Sequence, residues 1–247
     1  MNRPRIAIVQ LTDPDGTIPV GFAASCFEFA CELMAQGCAV SLIPWQSTPT
    51  APIDALLHDL SKDSDRVLLW DPDVTIDLPA TVASLDGIEL LKALDAADVV
   101  SAPVIRGPDQ LAVFSSRELF SRARAGLGTD LAPIMQRDRQ PVVIAAAGNY
   151  WLWLHASAIH RLAPAPAKPY VIDGVDVTLV RRLIEGGCTA RCDPRLSVTS
   201  TWKYTAPWAL GLSVSQEVAP AEVAPVAVAS ALDASGGTYP LAPQPTP

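Results

Sequence analysis

The chain has 247 residues, 49% of them hydrophobic, enough for one sizeable core or a core with a tail. Its 18 Lys and Arg against 26 Asp and Glu give a formal charge of −8, with no basic stripe interleaved with aromatics. That balance disfavours extended contact with nucleic acid, and no run approaches the roughly 20 apolar residues needed to cross a bilayer.

Arg5 to Leu11 reads as a buried strand, and its apolar run is too short for the core of a signal peptide. Val20 to Gln36 has apolar residues at helical spacing, closed by Gly37. Ala39 to Trp45 is a second strand, Pro52 to Leu60 a helix with Pro near its first turn, and Arg66 to Trp70 a third strand. Ile88 to Leu94 is helical and Asp98 to Ile105 returns as a strand. This alternation predicts an α/β fold: an open, mostly parallel, Rossmann-type sheet flanked by helices. Ligands of such sheets bind outside the carboxyl ends of the strands.

From Gln110 the rhythm changes. Gln110 to Ser115 and Pro141 to Ala147 read as strands, separated by an Arg-rich helical or irregular stretch. Tyr150 to Leu154 is rich in aromatics that suit either a core or a stacking platform, and Ala156 to Leu162 reads as a helix. Val175 to Glu185 is an amphipathic helix closed by Gly186 and Gly187, and Thr189 to Thr201 a final extended segment. Residues 211–247 are rich in Ala and Pro and read as a disordered tail. The five cysteines form no Cys-x-x-Cys pair and have no histidine at metal spacing, which predicts mostly buried, reduced thiols in a cytoplasmic protein.

The motif with the most chemistry is Asp71-Pro72-Asp73, directly after the third strand. Pro72 holds Asp71 extended and ends regular pairing. Two carboxylates at a strand's carboxyl end suit a hard divalent cation carrying phosphate oxygens; the alternative is a polar turn closing the strand. Downstream come Gly148-Asn149, then Asp176 at a helix entrance with Arg181-Arg182, then Gly187, then Asp193-Pro194.

In that order and spacing, over residues 5 to 205, the chain resembles nucleotide-sugar-dependent glycosyltransferases of the GT-A fold, close to the family 2 type. The resemblance implies a nucleotide-binding half (1–108), an acceptor half (109–210) and metal-assisted, inverting transfer of a sugar to an acceptor hydroxyl. It implies that Asp71 contacts the nucleotide and that Asp71 and Asp73 hold Mn²⁺ or Mg²⁺ on the diphosphate. It implies that Asp176, or Asp173 as the alternate, is the general base. Thr12, Asp13 and Asp15 would border the base and ribose. The acceptor would be a glycan, a lipid carrier, a protein or a modified nucleobase.

The chain departs from the family pattern in three places. Val175 stands before Asp176 where the family has a second acid. No His follows the last strand, which leaves Ser200 as a metal ligand or Lys203 as the compensating charge. Asp54 lies on the nucleotide side, where relatives have an Arg-Asn pair. Competing classes are a glycosyltransferase relative that binds without turnover, and a nucleotidyltransferase; Leu11 to Val20 lacks the basic residues expected of the latter.

Overall fold

A computed structural model describes residues 3–12, 17–46, 53–107, 110–115, 131, 135, 139–166, 168–172 and 175–200. Asp13, Asp15, Asp173, Lys203, the Arg-rich stretch and the tail lie outside these residues.

Three strands form where the sequence places them: β1 (Arg5–Leu11), β2 (Ala39–Trp45) and β3 (Arg66–Trp70). Their apolar runs fit a sheet covered on both faces. β2 is the exception, with a largely open pattern and Pro44 in its run; it is an edge strand, where a missing donor is tolerated. After β3 come β4 (Val74–Ile76), β5 (Val99–Ser101), β6 (Ile105–Gly107), β7 (Gln110–Leu111) and β8 (Val113–Phe114). Then follow β9 (Val142–Val143), β10 (Ala146–Ala147), β11 (Trp151–His155), β12 (Val171–Ile172), β13 (Val175–Asp176), β14 (Ala190–Cys192) and β15 (Val198–Ser200).

The main sheet has seven strands in the order β2-β1-β3-β11-β5-β14-β9. β2, β1, β3, β5 and β14 run one way; β11 and β9 run the other. The expected mostly parallel sheet is therefore present, with β11 driven antiparallel between β3 and β5. Its register pairs Trp151 with Trp70 and His155 with Arg66 on one side, and Leu152 with Ser101 on the other.

Helices cover both faces. α1 (Val20–Ala35), α3 (Leu78–Ser84) and α4 (Leu90–Leu94) lie over the face built from Ile6, Ile8, Leu68, Trp70, Trp151 and Trp153. α2 (Ile53–Asp63), α5 (Ala156–Ile159) and α6 (Thr178–Glu185) cover the other, built from Ala7, Val9, Leu69, Leu152 and Leu154. α3 is absent from the sequence reading, although Asp77 caps it by accepting from the Ala80 N–H at 2.9 Å and Pro79 stands in its first turn. Among the described residues no helix is long and apolar enough to cross a membrane.

One correction concerns local structure, and one open choice is decided. The expected helix from Val175 begins at Thr178, and Val175 and Asp176 instead pair with Ile172 and Val171 in a hairpin. Trp151 and Trp153 are fully buried core residues, not a platform: Trp151 meets Phe29 edge-on at 5.9 Å and Trp70 at 6.1 Å. The five thiols are free, four of them buried, and burial pushes Cys26 up to about 12 against a hydrogen bond with Gln10.

Two charge clusters brace the sheet. At its amino edge Arg66, the first residue of β3, donates from Nε and Nη2 to Asp95 at 2.7 and 2.8 Å. Trp153 Nε1 donates to the same carboxylate at 3.2 Å, and His155 Nε2 lies 3.2 Å from it. Burial pushes the Asp95 carboxyl up, but His155 and Arg66 outweigh it and hold the group well below the usual carboxylate range. Beyond β14, Asp193 is fully buried and Arg195 nearly so; Arg195 grips it from Nε at 2.9 Å and Nη2 at 2.7 Å.

Replacing Arg195 with Leu leaves a carboxylate buried without its partner, and urea unfolding should show a loss of about 3–5 kcal/mol. Because the folded-state pKa of Asp95 is lowered, its contribution is full above the unfolded carboxylate value, about 4, and is lost as pH falls through the folded value. Thermal melts of Asp95→Asn should therefore lie below wild type at pH 7, with the gap narrowing below about pH 4. A gap independent of pH would remove the ionic account.

Candidate functional site

The Asp-Pro-Asp segment is a pinned turn at the carboxyl end of β3. The Asp71 N–H donates to the Tyr150 carbonyl at 2.8 Å, which extends the β3–β11 pairing by one row. The Val74 N–H returns to the Asp71 carbonyl at 3.0 Å, and the Asp73 N–H donates to Asp71 Oδ1 at 2.9 Å. From below, the Trp70 indole N–H donates to the Val74 carbonyl at 2.7 Å. That indole is fully buried, edge-on to Phe29 at 5.4 Å and Phe22 at 5.9 Å. Asp71 and Asp73 are thus half-buried acids on a backbone fixed by the core.

Gly148-Asn149-Tyr150 borders this turn on the β11 side. A Cβ on Gly148 would lie 2.6 Å from Tyr150 Cε2 and 2.7 Å from Val175 Cγ1, so only glycine lets these two side chains close over the backbone. Through this contact β13 is brought against the segment that pairs with Asp71. Asp176, the next residue, is exposed beyond it and accepts from the Thr178 N–H at 2.9 Å. Asp71 and Asp73 thus share one turn after β3, and Asp176 follows Val175, the β13 residue that packs against Gly148.

The other expected residues divide. Thr12 follows β1; its N–H donates to the Trp45 carbonyl at 3.0 Å, and its Oγ1 is buried without a hydrogen-bond partner. The Asn149 Oδ1 is buried and unpartnered too. Asp54 ties α2 to α6, accepting from Arg182 Nη1 at 2.7 Å, while Arg182 Nε reaches the Ala163 carbonyl at 2.7 Å. Ser200 pairs with Val74, beside Asp73, but its hydroxyl is buried and donates to the Ile105 carbonyl at 2.9 Å. Arg181 reaches the Ala145 carbonyl and Glu185, and lies over the Tyr170 ring.

Among the described residues no three His, Cys, Asp or Glu side chains converge as a metal site. The donor set is Asp71 and Asp73 alone, with one Asp71 oxygen already accepting a backbone hydrogen bond. Two carboxylate ligands on a rigid turn fit Mg²⁺ or Mn²⁺ that arrives with phosphate oxygens and keeps its waters; they do not make a protein cage.

The sequence reading missed Trp70 as the support of the turn and the Asp193–Arg195 pair. The Asp-x-Arg spacing was a readable signal for the pair; the indole bond, between residues four apart, had none. Gly148→Ala must displace the Tyr150 ring or Val175, and urea unfolding should show a loss of about 1–3 kcal/mol with the slope unchanged.

No family model matches the chain, and no curated protein matches it. Among solved structures, the crystal structure of A197 from STIV is 10% identical with a TM-score of 0.45, covering 82% of this chain and 92% of that one. The catalytic domain of Drosophila beta1,4-galactosyltransferase 7, solved with xylobiose, is 9% identical with a TM-score of 0.43, covering 82% of this chain and 70% of that one.

Proposed function

We propose that the protein binds a nucleotide sugar at the carboxyl edge of its sheet and transfers the sugar to an acceptor hydroxyl with inversion. The observation that carries this reading is the pinned Asp71-Pro72-Asp73 turn, and the Gly148–Val175 contact beside it supports Asp176 as the base. It has the two poles that such a displacement needs, an acidic ligand pair for the leaving diphosphate and a carboxylate for the acceptor.

In the proposed step the acceptor oxygen attacks the anomeric carbon from the side opposite the diphosphate. The bond from that carbon to the diphosphate oxygen breaks, and its electron pair leaves with the nucleotide. Asp176 takes the acceptor proton. A divalent cation, when bound, neutralises charge on the departing diphosphate. Asp71 and Asp73 hold that cation and the nucleotide, and their fixed backbone means little reorganisation as charge develops. Thr12, with its unpartnered buried hydroxyl, borders the ribose.

Melting temperature should be measured against ADP, CDP, GDP, UDP and dTDP, each with and without Mn²⁺. The expected result is a Mn²⁺-dependent rise with one base that disappears in Asp73→Ala. With that base identified, Asp176→Asn should keep the rise and lose turnover. Binding without turnover in wild type would leave a non-catalytic module, and no rise with any nucleotide would remove the reading.

A further inference from the structure

α1 departs from the pattern of a surface helix. A helix that covers a sheet turns an apolar stripe to the core and charge to solvent. Of the 16 residues of α1 only Glu28 and Glu32 are charged, and Glu32 is half-buried and accepts from Gln36 Nε2 at 2.7 Å. Phe22, Cys26, Phe29 and Leu33 face the core. The opposite face is apolar too. Val20 is 86% exposed, Phe27 60% and Met34 46%, with Ala24 and Cys31 exposed between them.

These five residues follow one another at steps of four, three, four and three. That is the spacing of a seam that meets a second helix, each side chain entering a hole between four others. It selects the partner's shape, since a strand repeats at two residues and not at three and a half. The seam also alternates in size. Val20, Phe27 and Met34 are the large residues at one position of the repeat, and Ala24 and Cys31 the small ones at the other. When two such seams run antiparallel the two positions face each other, so each large side chain meets a small one. α1 is thus complementary to itself, as an isologous two-fold contact requires. A parallel pairing would instead set Phe27 on Phe27 and Ala24 on Ala24.

Charge and area bear on the same contact. The chain carries −8, so two copies approach most easily where acids are fewest. On the exposed face of α1 that leaves Glu28 alone. From Val20 to Met34 the seam is about 21 Å long and about 10 Å wide, which by itself falls short of the roughly 800 Å² per partner of a standard interface. Val82 on α3, which packs beside α1, and Ile88 just after α3 are exposed as well and widen the apolar face. An interface of this size is at the weak end of specific contacts and forms with concentration.

We infer that the protein pairs with a second copy of itself through the outer face of α1, in an antiparallel, concentration-dependent dimer.

The experiment is sedimentation velocity on the full chain from about 1 to about 200 µM, the range in which an interface of this size populates both states. Wild type should move from the mass of one chain, 26.2 kDa, toward twice that value. Phe27→Glu and Ala24→Glu each place a carboxylate in the seam without touching the core. Both should stay at the mass of one chain throughout, with the melting temperature of wild type at the lowest concentration. Val143→Glu, which charges another exposed apolar residue on β9, should dimerise as wild type does. Cys31, the exposed thiol, should react with a disulfide reagent more slowly as the protein is concentrated, in step with the dimer.

A dimer that persists in both seam variants, or that Val143→Glu abolishes, overturns the inference. So does wild type that stays at the mass of one chain at about 200 µM. In that case an unreactive Cys31 assigns the face to another part of the chain, and a reactive one leaves it to a different protein.

Discussion

The acidic turn after β3 rests on one hydrogen bond from the core. The Trp70 indole is packed among Phe22, Phe29 and Trp151, and its N–H holds the Val74 carbonyl just past the acid pair. Its neighbour Trp151 is buried with no partner for its N–H, whereas the Trp70 N–H has one. Here the partner is the backbone of a turn that three further hydrogen bonds also hold. The same bond therefore satisfies the indole and anchors the backbone that follows Asp71 and Asp73. β4, which starts at Val74, is secured in turn by Ser25 of α1, whose Oγ accepts from the Ile76 N–H at 2.9 Å.

At the amino edge of the sheet, Arg66 and Trp153 donate to the Asp95 carboxylate and His155 lies beside it. Buried side-chain atoms without hydrogen-bond partners occur at both edges, Oγ1 of Thr12 and Oδ1 of Asn149 at one and Nε2 of His155 at the other.

The first three strands and α1 were legible because each is an apolar run of the right length and period, bounded by Pro, Gly or Asp. The position of Asp71-Pro72-Asp73 at a strand's carboxyl end followed directly from that reading. What was not legible is non-local. Nothing in Tyr150 to Leu154 says that the strand enters the sheet antiparallel between β3 and β5; that follows from pairing with residues some 80 positions earlier in one case and some 50 in the other. Asp54 reads as a free acid beside a ligand, and its partner Arg182 is 128 residues away. Ser200 does reach the strand beside Asp73, but its hydroxyl answers to Ile105, a contact no local pattern announces. The pairing of Val175 and Asp176 with Ile172 and Val171 was lost to the stronger helical pattern that follows it.

The insertion of β11 has a consequence for how the chain is made. By residue 107 a nascent chain has supplied β1, β2, β3 and β5, but β3 and β5 do not pair with each other. Each waits with an open, apolar edge until residues 151–155 arrive and bond to both. Open edges of this kind are sites of unwanted pairing between chains. Synthesis at about 5–20 residues per second leaves an interval of several seconds between the two events. During it the first half of the sheet exists only as separated pieces, and a chain cut before residue 151 never closes them.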